Sequence, residues 1–388
     1  MPLTSARVPT ARRVVALAAA AAALLFAVVP VDPAASSTTG AVPMTYAPPP
    51  IRHVFIINLE NEGYQRTFGP GSPAPYLAQT LRSRGILLSQ YYATAHLSLP
   101  NYIAQISGQG PNSDTQSDCQ IYSNFAGTGP TTPPQQAVGQ GCVYPTSVKT
   151  LPEQLDAKGF NWAGYMEDME KSPARNTCRH PAVNSKDDTQ QAEPGDQYAV
   201  RHNPFMYFHS IIDRQTYCDR HVVPLKWLPT ALQSVSTTPN FSFITPNLCH
   251  DGHDEPCVTG QPGGLVTAGK WLQRWVPKIL SSPAFQRDGL LVVTFDEAEA
   301  SGGQADASAC CGEGPGPNSP LPGVFGPGGG RAGAVLVSPY IRPGSFNNTA
   351  YNHYGLLCSI EDIFGLTHLG YAATTQRCFG LDVYNKGV

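Results

Sequence analysis

Beyond its first few residues the sequence has no Lys/Arg block, and its formal net charge is only −3. The electrostatic footprint of a nucleic-acid binder is therefore missing, and a small or membrane-borne substrate suits the chain better. No C-x-x-C pair occurs among the ten cysteines, which argues against a cysteine-ligated zinc site. Internal repeats are absent as well, which sets solenoids and propellers aside.

What is present is 388 residues with 41% hydrophobic content, enough for one large α/β domain or two ordinary ones. Arg7, Arg12 and Arg13 precede an apolar run from Val14 to about Val31, followed by "DPAASSTTG", the layout of a secretory signal. The expected organisation is a signal peptide over 1–35, a Pro/Ala-rich linker over 36–51 and a folded domain over 52–388. Export is the expectation, with no stable transmembrane association after cleavage. Tethering by an uncleaved segment stays open, because the apolar run is long and no clean A-x-A site stands out. An even number of cysteines in an exported chain favours disulfides. Cys249 and Cys257 bracket one short loop, Cys358 and Cys378 bracket the last helix and its exit, and the neighbours Cys310 and Cys311 are expected to take different partners or stay partly free.

From Arg52 onward, apolar runs alternate with helical patterns. "HVFIINLE" (53–60), "FNWAGYMED" (160–168), "NFSFITPN" (240–247), "GLLVVTFDE" (289–297) and "AVLVSPY" (334–340) read as strands. Residues 75–85, 267–280 and 351–366 read as helices. This alternation predicts an α/β three-layer sandwich with a mostly parallel central sheet. Three loop-rich insertions, 109–146, 169–222 and 298–333, hold six of the ten cysteines. Segments this long inside a compact fold are expected to be functional lids or disulfide-tied excursions.

Ligands of open parallel sheets bind outside the carboxyl ends of the strands, so the residues following each apolar run matter most. Those runs deliver Glu60 and Asn61, Glu167 and Asp168, Asn247 with His250, Asp251, His253 and Asp254, and Asp296 and Glu297. Glu60, Asn61, Asp296 and Glu297 are oxygen donors with no His or Cys mixed in. One divalent cation held between them would be hard, Ca²⁺ or Mg²⁺ rather than Zn²⁺. Turn and cap roles are the bland alternative for Glu60 and Asn61.

Ser98 precedes Pro100 in a turn leading into a helix, where its hydroxyl could join the cation and attack phosphorus, or could simply cap the helix. Asn101 could donate to a phosphoryl oxygen. His253, next to Asp254, could be oriented by that carboxylate as phosphate ligand or proton donor, and His96 and His353 are further candidates for contacting substrate.

In their order, "HVFIINLENEGY", "HLSLPNYIAQISG", "FITPNLCHDGHD", "LLVVTFDEAE" and the stretch from "VLVSPY" to "EDIFGL" resemble the bacterial phosphoesterase family of acid phosphatases and phospholipases C, within the alkaline-phosphatase-like superfamily. The resemblance covers roughly 52–372 and implies an alkaline-phosphatase-like fold with Cys-rich insertions. It implies Glu60, Asn61, Asp296 and Glu297 as metal ligands together with Ser98, Ser98 as nucleophile, and Asn101 and His253 as phosphate contacts. Leu59 and Leu97 depart from the family pattern, which bears on substrate choice. The function so implied is a secreted, metal-dependent acid phosphatase that hydrolyses phosphomonoesters, small or on phospholipid headgroups, through a phosphoserine. A phospholipase C cleaving phosphodiesters and a non-catalytic binding protein on the same fold are the alternatives.

Overall fold

The computed structural model describes residues 46–130, 134–172, 176–374 and 377–386. The expected signal peptide, and most of the expected linker, lie outside the described residues.

The central sheet has eight strands: β1 (His53–Leu59), β2 (Ile86–Leu88), β3 (Trp162–Met166), β4 (Val222–Pro224), β5 (Phe241–Thr245), β6 (Gly289–Phe295), β7 (Ala334–Val337) and β8 (Ser345–Asn347). Their spatial order is β8-β2-β7-β6-β1-β5-β3-β4. β1 pairs in parallel with both β5 and β6, β3 with β5 and β4, and β8 with β2. Only β7 is reversed, antiparallel to β6 and to β2. A mostly parallel sheet needs cover on both faces, which is why β1 and β6 are mostly apolar and buried along their whole length rather than alternating.

Alternate β1 side chains feed two separate cores. Val54 and Ile56 pack with Leu99, Tyr102 and Ile106 of α1 (Ser98–Ser107) and with Leu356 and Ile360 of α3 (His353–Phe364). Phe55, Ile57 and Leu59 pack on the other face against Leu265, Leu272, Val276 and Ile279 of α2 (Gly264–Leu280). These two cores make the three-layer α/β sandwich expected from the sequence.

The differences are local. The helix expected over 75–85 is two short turns, Tyr76–Leu81 and Arg82–Arg84, because the chain must stop at Gly85. A Cβ there would lie 1.9 Å from the Leu336 carbonyl oxygen of β7. β2, β4 and β8 were not legible, since three residues are too few to show a period.

All ten cysteines are paired: 119 with 142, 178 with 218, 249 with 257, 310 with 311 and 358 with 378. The two bracketing pairs fall where the sequence put them. Cys310 and Cys311, expected to go separate ways, are bonded to each other instead.

Candidate active site

The parallel register brings the strand ends together. Leu59 of β1 lies beside Phe295 of β6, so Glu60 and Asn61 emerge next to Asp296 and Glu297. Backbone bonds fix the junction: Asp296 N–H donates to the Leu59 carbonyl at 2.8 Å, and Glu60 N–H to the Asp251 carbonyl at 2.9 Å. Asp296 Oδ1 accepts from the N–H groups of Asn61 (3.1 Å) and Glu297 (2.7 Å). Asn61 adopts left-handed backbone (φ 50°), which asparagine tolerates better than most residues and which turns its side chain at the strand end.

Ser98 is the first residue of α1, preceded by Leu97 at the N-cap. Its side chain makes no cap. The hydroxyl donates to Glu60 Oε2 at 2.8 Å and lies 3.5 Å from Glu297 Oε1. Tyr102, one turn further along α1, donates its hydroxyl to Glu60 Oε1.

Three expected substrate contacts are committed elsewhere. Both Nδ2 hydrogens of Asn101 are spent on the carbonyls of Ala95 (2.8 Å) and Leu97 (3.0 Å), while its Oδ1 accepts from the N–H groups of Thr94 and Ala95. Asn101 therefore clamps the turn that presents Ser98 and has no donor left for a phosphoryl oxygen. Buried His96 engages Glu297 through Nδ1 and the Asp306 carbonyl through Nε2. Buried His353 lies between the Asp296 carbonyl (2.6 Å) and the Tyr91 hydroxyl (2.9 Å), and burial lowers its pKa to about 4. Both histidines are tied to the strand end that carries the carboxylates.

His253 does reach solvent, its side chain 35% exposed. Its N–H donates to Asp251 Oδ1 (2.9 Å) and its Nδ1 pairs with Asp254 Oδ1 (2.8 Å). Burial works against its charge, but Asp254 and Asp251 hold its pKa above the ordinary histidine value. It lines a cleft of about 460 Å³ together with Asp118, Gln120, Gln190, Arg201 and Asp254. A larger cavity of about 850 Å³ lies around Asn161 and Trp162 at the opposite end of β3, and contains none of these groups.

His202 was not found from the sequence. It is buried, stacked on Tyr102 with ring centroids 5.4 Å apart, with Nε2 3.3 Å from Glu60 Oε2 and Nδ1 3.4 Å from Asp251 Oδ2. Burial, then Arg201 and His253, drive its pKa well below normal, which favours the uncharged ring. It sits in the insertion 169–222, where no strand precedes it. The available signal was an Arg-His pair one residue before the apolar "PFMYF", whose burial drags the pair inward. Glu167 belongs to a different network, accepting from Trp271 Nε1 (2.8 Å) and pairing with His250 (3.0 Å).

The carboxylates pay heavily for this enclosure. Burial first, and then the charge of Asp296, raise Glu60 and Glu297 well above the usual carboxylate range. Burial is also the main cause that lifts Asp296 to about 6 and Asp251 to about 7. Several buried polar atoms here lack a hydrogen-bond partner among the described residues: Asn61 Oδ1, Asp296 Oδ2, Asp251 Oδ2 and both ring nitrogens of His202. Clustered carboxylates and orphaned oxygens are what a hard divalent cation would satisfy, so Glu60, Asn61, Ser98, Asp296 and Glu297 fit such an ion. Among the described residues, the ligand atoms of Asp362, His368 and Cys378 lie within 4.8 Å of one another, but Cys378 is consumed in a disulfide.

The profile of the Phosphoesterase family matches residues 72–367. A phosphate-repressible acid phosphatase of Penicillium chrysogenum is 27% identical over 75% of this chain and 54% of its own length. A phosphatidylinositol-3-phosphatase of Mycobacterium tuberculosis is 26% identical over 87% of this chain and 86% of its own. The chain spans only about half to three fifths of the length of the fungal acid phosphatases it matches. Among solved structures, a protein in the alkaline phosphatase superfamily from Vibrio parahaemolyticus aligns at 13% identity with a TM-score of 0.47, over 83% of this chain and 69% of the other.

Proposed function

Because the chain belongs to the Phosphoesterase family, we propose that it is an exported, metal-dependent phosphatase that hydrolyses phosphomonoesters through a phosphoserine at Ser98. The observation that carries this reading is the Ser98 hydroxyl: it leads a helix without capping it and is aimed instead into the carboxylates of Glu60 and Glu297. A merely structural serine at a helix start would bond to backbone N–H.

When bound, a divalent cation supplies Lewis acidity and charge neutralisation among Glu60, Asn61, Asp296 and Glu297. The chain supplies the rest. Ser98 Oγ forms the bond to phosphorus, its proton passing to the carboxylates around it, and the ester P–O bond breaks. His253, held by Asp254 and facing the cleft, donates the proton that the leaving alkoxide takes up. Water then attacks the phosphoserine, releasing inorganic phosphate and restoring the hydroxyl. His202 adds a neutral ring between Glu60 and Asp251, where a charged one would compete with a cation.

The substrate class supported best is a phosphomonoester on a small molecule or lipid headgroup, since the named activities of the aligned relatives are phosphatases, one of them acting on phosphatidylinositol 3-phosphate. Export is supported by the pairing of all ten cysteines. Among the described residues, no helix is long and apolar enough to cross a membrane.

The deciding experiment is acid-quenched labelling with a ³²P-phosphomonoester, run alongside turnover with and without chelator. Wild type is expected to carry label on the peptide containing Ser98 and to lose activity on chelation until Ca²⁺ or Mg²⁺ is restored. Ser98→Ala should fold, bind phosphate and turn over almost nothing. Substantial turnover by that variant removes the nucleophile, and preference for p-nitrophenyl phosphorylcholine over p-nitrophenyl phosphate would make the protein a diesterase.

A further inference from the structure

A buried ion pair stands beside Ser98 that the steps above do not use. Asp118, 8% exposed, lies in the insertion 109–146 with left-handed backbone (φ 52°), and its neighbour Cys119 is bonded to Cys142. Its Oδ1 accepts the Leu99 N–H at 3.0 Å, in the first turn of α1 and one residue from the nucleophile. Its Oδ2 is 3.7 Å from Nε of Arg201, which is itself only 4% exposed.

Two features make this more than a surface ion pair. The free N–H groups at the start of a helix are where an anion gains most, and at a nucleophile's helix that anion would be the phosphoryl group. Here one of those groups is already taken by the protein's own carboxylate. The Arg201 guanidinium, meanwhile, is poorly satisfied for a buried cation. Among the described residues it donates a single hydrogen bond, Nη1 to the Gln190 carbonyl at 3.2 Å, and its contact with Asp118 is too long to be a second. Asp118, Arg201 and His253 line the same cleft. An N–H has one hydrogen to give, and two anions a few ångströms apart in a half-enclosed site repel strongly. A phosphoryl group entering beside Ser98 therefore meets a resident competitor and an under-used cation together.

We propose that Asp118 is a resident anion that holds the phosphoryl seat in the free enzyme, and that an incoming phosphomonoester displaces it and takes over both the Leu99 N–H and Arg201. The proposal rests on the phosphatase reading of Ser98. Asp118 and Arg201 then act on phosphate affinity. Asp118 weakens the hold on substrate and on inorganic phosphate alike, and Arg201 strengthens both. Returning the carboxylate to its seat would help expel the product, which carries the same group as the substrate.

The test uses inorganic phosphate as competitive inhibitor and as calorimetric ligand, with wild type, Asp118→Asn, Arg201→Gln and Ser98→Ala. Asparagine keeps the acceptor for Leu99 N–H and removes only the charge. In Asp118→Asn the phosphate Ki and the KM for p-nitrophenyl phosphate should both fall about tenfold. In Arg201→Gln both should rise by about the same factor or more. If Asp118 is a permanent helix cap, Asp118→Asn will melt earlier with Ki and KM unmoved, and the proposal fails. Should that variant not fold, the wild-type structure with bound vanadate decides. An anion oxygen on Leu99 N–H with Asp118 moved aside supports displacement, and Asp118 still on Leu99 N–H with the anion bound overturns it. Turnover by Ser98→Ala would sink the nucleophile while leaving the Asp118 result to stand or fall by itself. No phosphate binding to wild type would sink both.

Discussion

His202 shows what a single buried ring does among carboxylates. It lies between Glu60 and Asp251 at 3.3 and 3.4 Å and stacks on Tyr102, so His202→Ala should cut kcat/KM by about 10–100-fold, the loss expected when a polar ring that positions buried carboxylates is removed. Its thermal midpoint should fall only a few degrees. An unchanged kcat/KM with a large fall in melting temperature would reduce His202 to a packing residue. At this scale the sequence was informative in one direction. Strand-end logic placed Glu60, Asn61, Asp296 and Glu297 because parallel register carries such residues to one edge. It could not place His202 or Arg201, which arrive on an insertion with no strand before them. It also gave substrate roles to Asn101, His96 and His353, whose side chains the protein itself engages. Residue type states what a group can bond to, whereas the fold decides which partner reaches it first. For all three, a backbone carbonyl did.

α3 carries a test of burial at the level of an element. Glu361, fully buried on this helix, accepts the Leu369 N–H at Oε1 (3.0 Å), while its Oε2 has no partner. Burial lifts its pKa to about 9. The native state thus keeps a proton that the unfolded carboxyl releases above its ordinary pKa near 4.5. Stability must therefore fall as pH rises from about 4.5 towards 9. Glu361→Gln removes that proton step. Between pH 5 and pH 8 the variant's loss of unfolding free energy should be smaller than wild type's by on the order of 1–3 kcal/mol. The amide's extra donor adds a cost that does not change with pH, so the slope is the diagnostic quantity, measured by urea unfolding at the two values. Parallel slopes would show that Glu361 is not held protonated. Elements themselves were legible in proportion to their length: β1 and β6 announce themselves as seven-residue, mostly apolar stretches, whereas β2, β4 and β8 become strands only because the sheet is already there to pair with.

Across the whole molecule, each insertion returns something to the catalytic edge. Residues 109–146 bring Asp118, residues 169–222 bring Arg201 and His202, and residues 298–333 bring the Asp306 carbonyl to His96 and stack Phe325 on the same ring at 5.1 Å. Each also carries its own disulfide. Thiol titration of the denatured, unreduced protein should find essentially no free cysteine, and about two thiols per chain would mean that one of these bridges, Cys310–Cys311 above all, does not form. The sequence showed where the insertions lie and that they hold most of the cysteines. Their inward reach was hidden, since loop composition says little about which end of a sheet a loop covers. The reversed strand β7 settles that for the last of them. The chain leaves β6 at Phe295 and re-enters β7 at Ala334, which sits opposite Thr294, so the segment between never passes beneath the sheet. A segment anchored at both ends on the catalytic rim can lengthen, shorten or change composition over generations without repacking either core. Every such change is felt first at the His96 ring that Phe325 and the Asp306 carbonyl hold, so descendants of this scaffold can remodel their outer wall while inheriting the same chemistry.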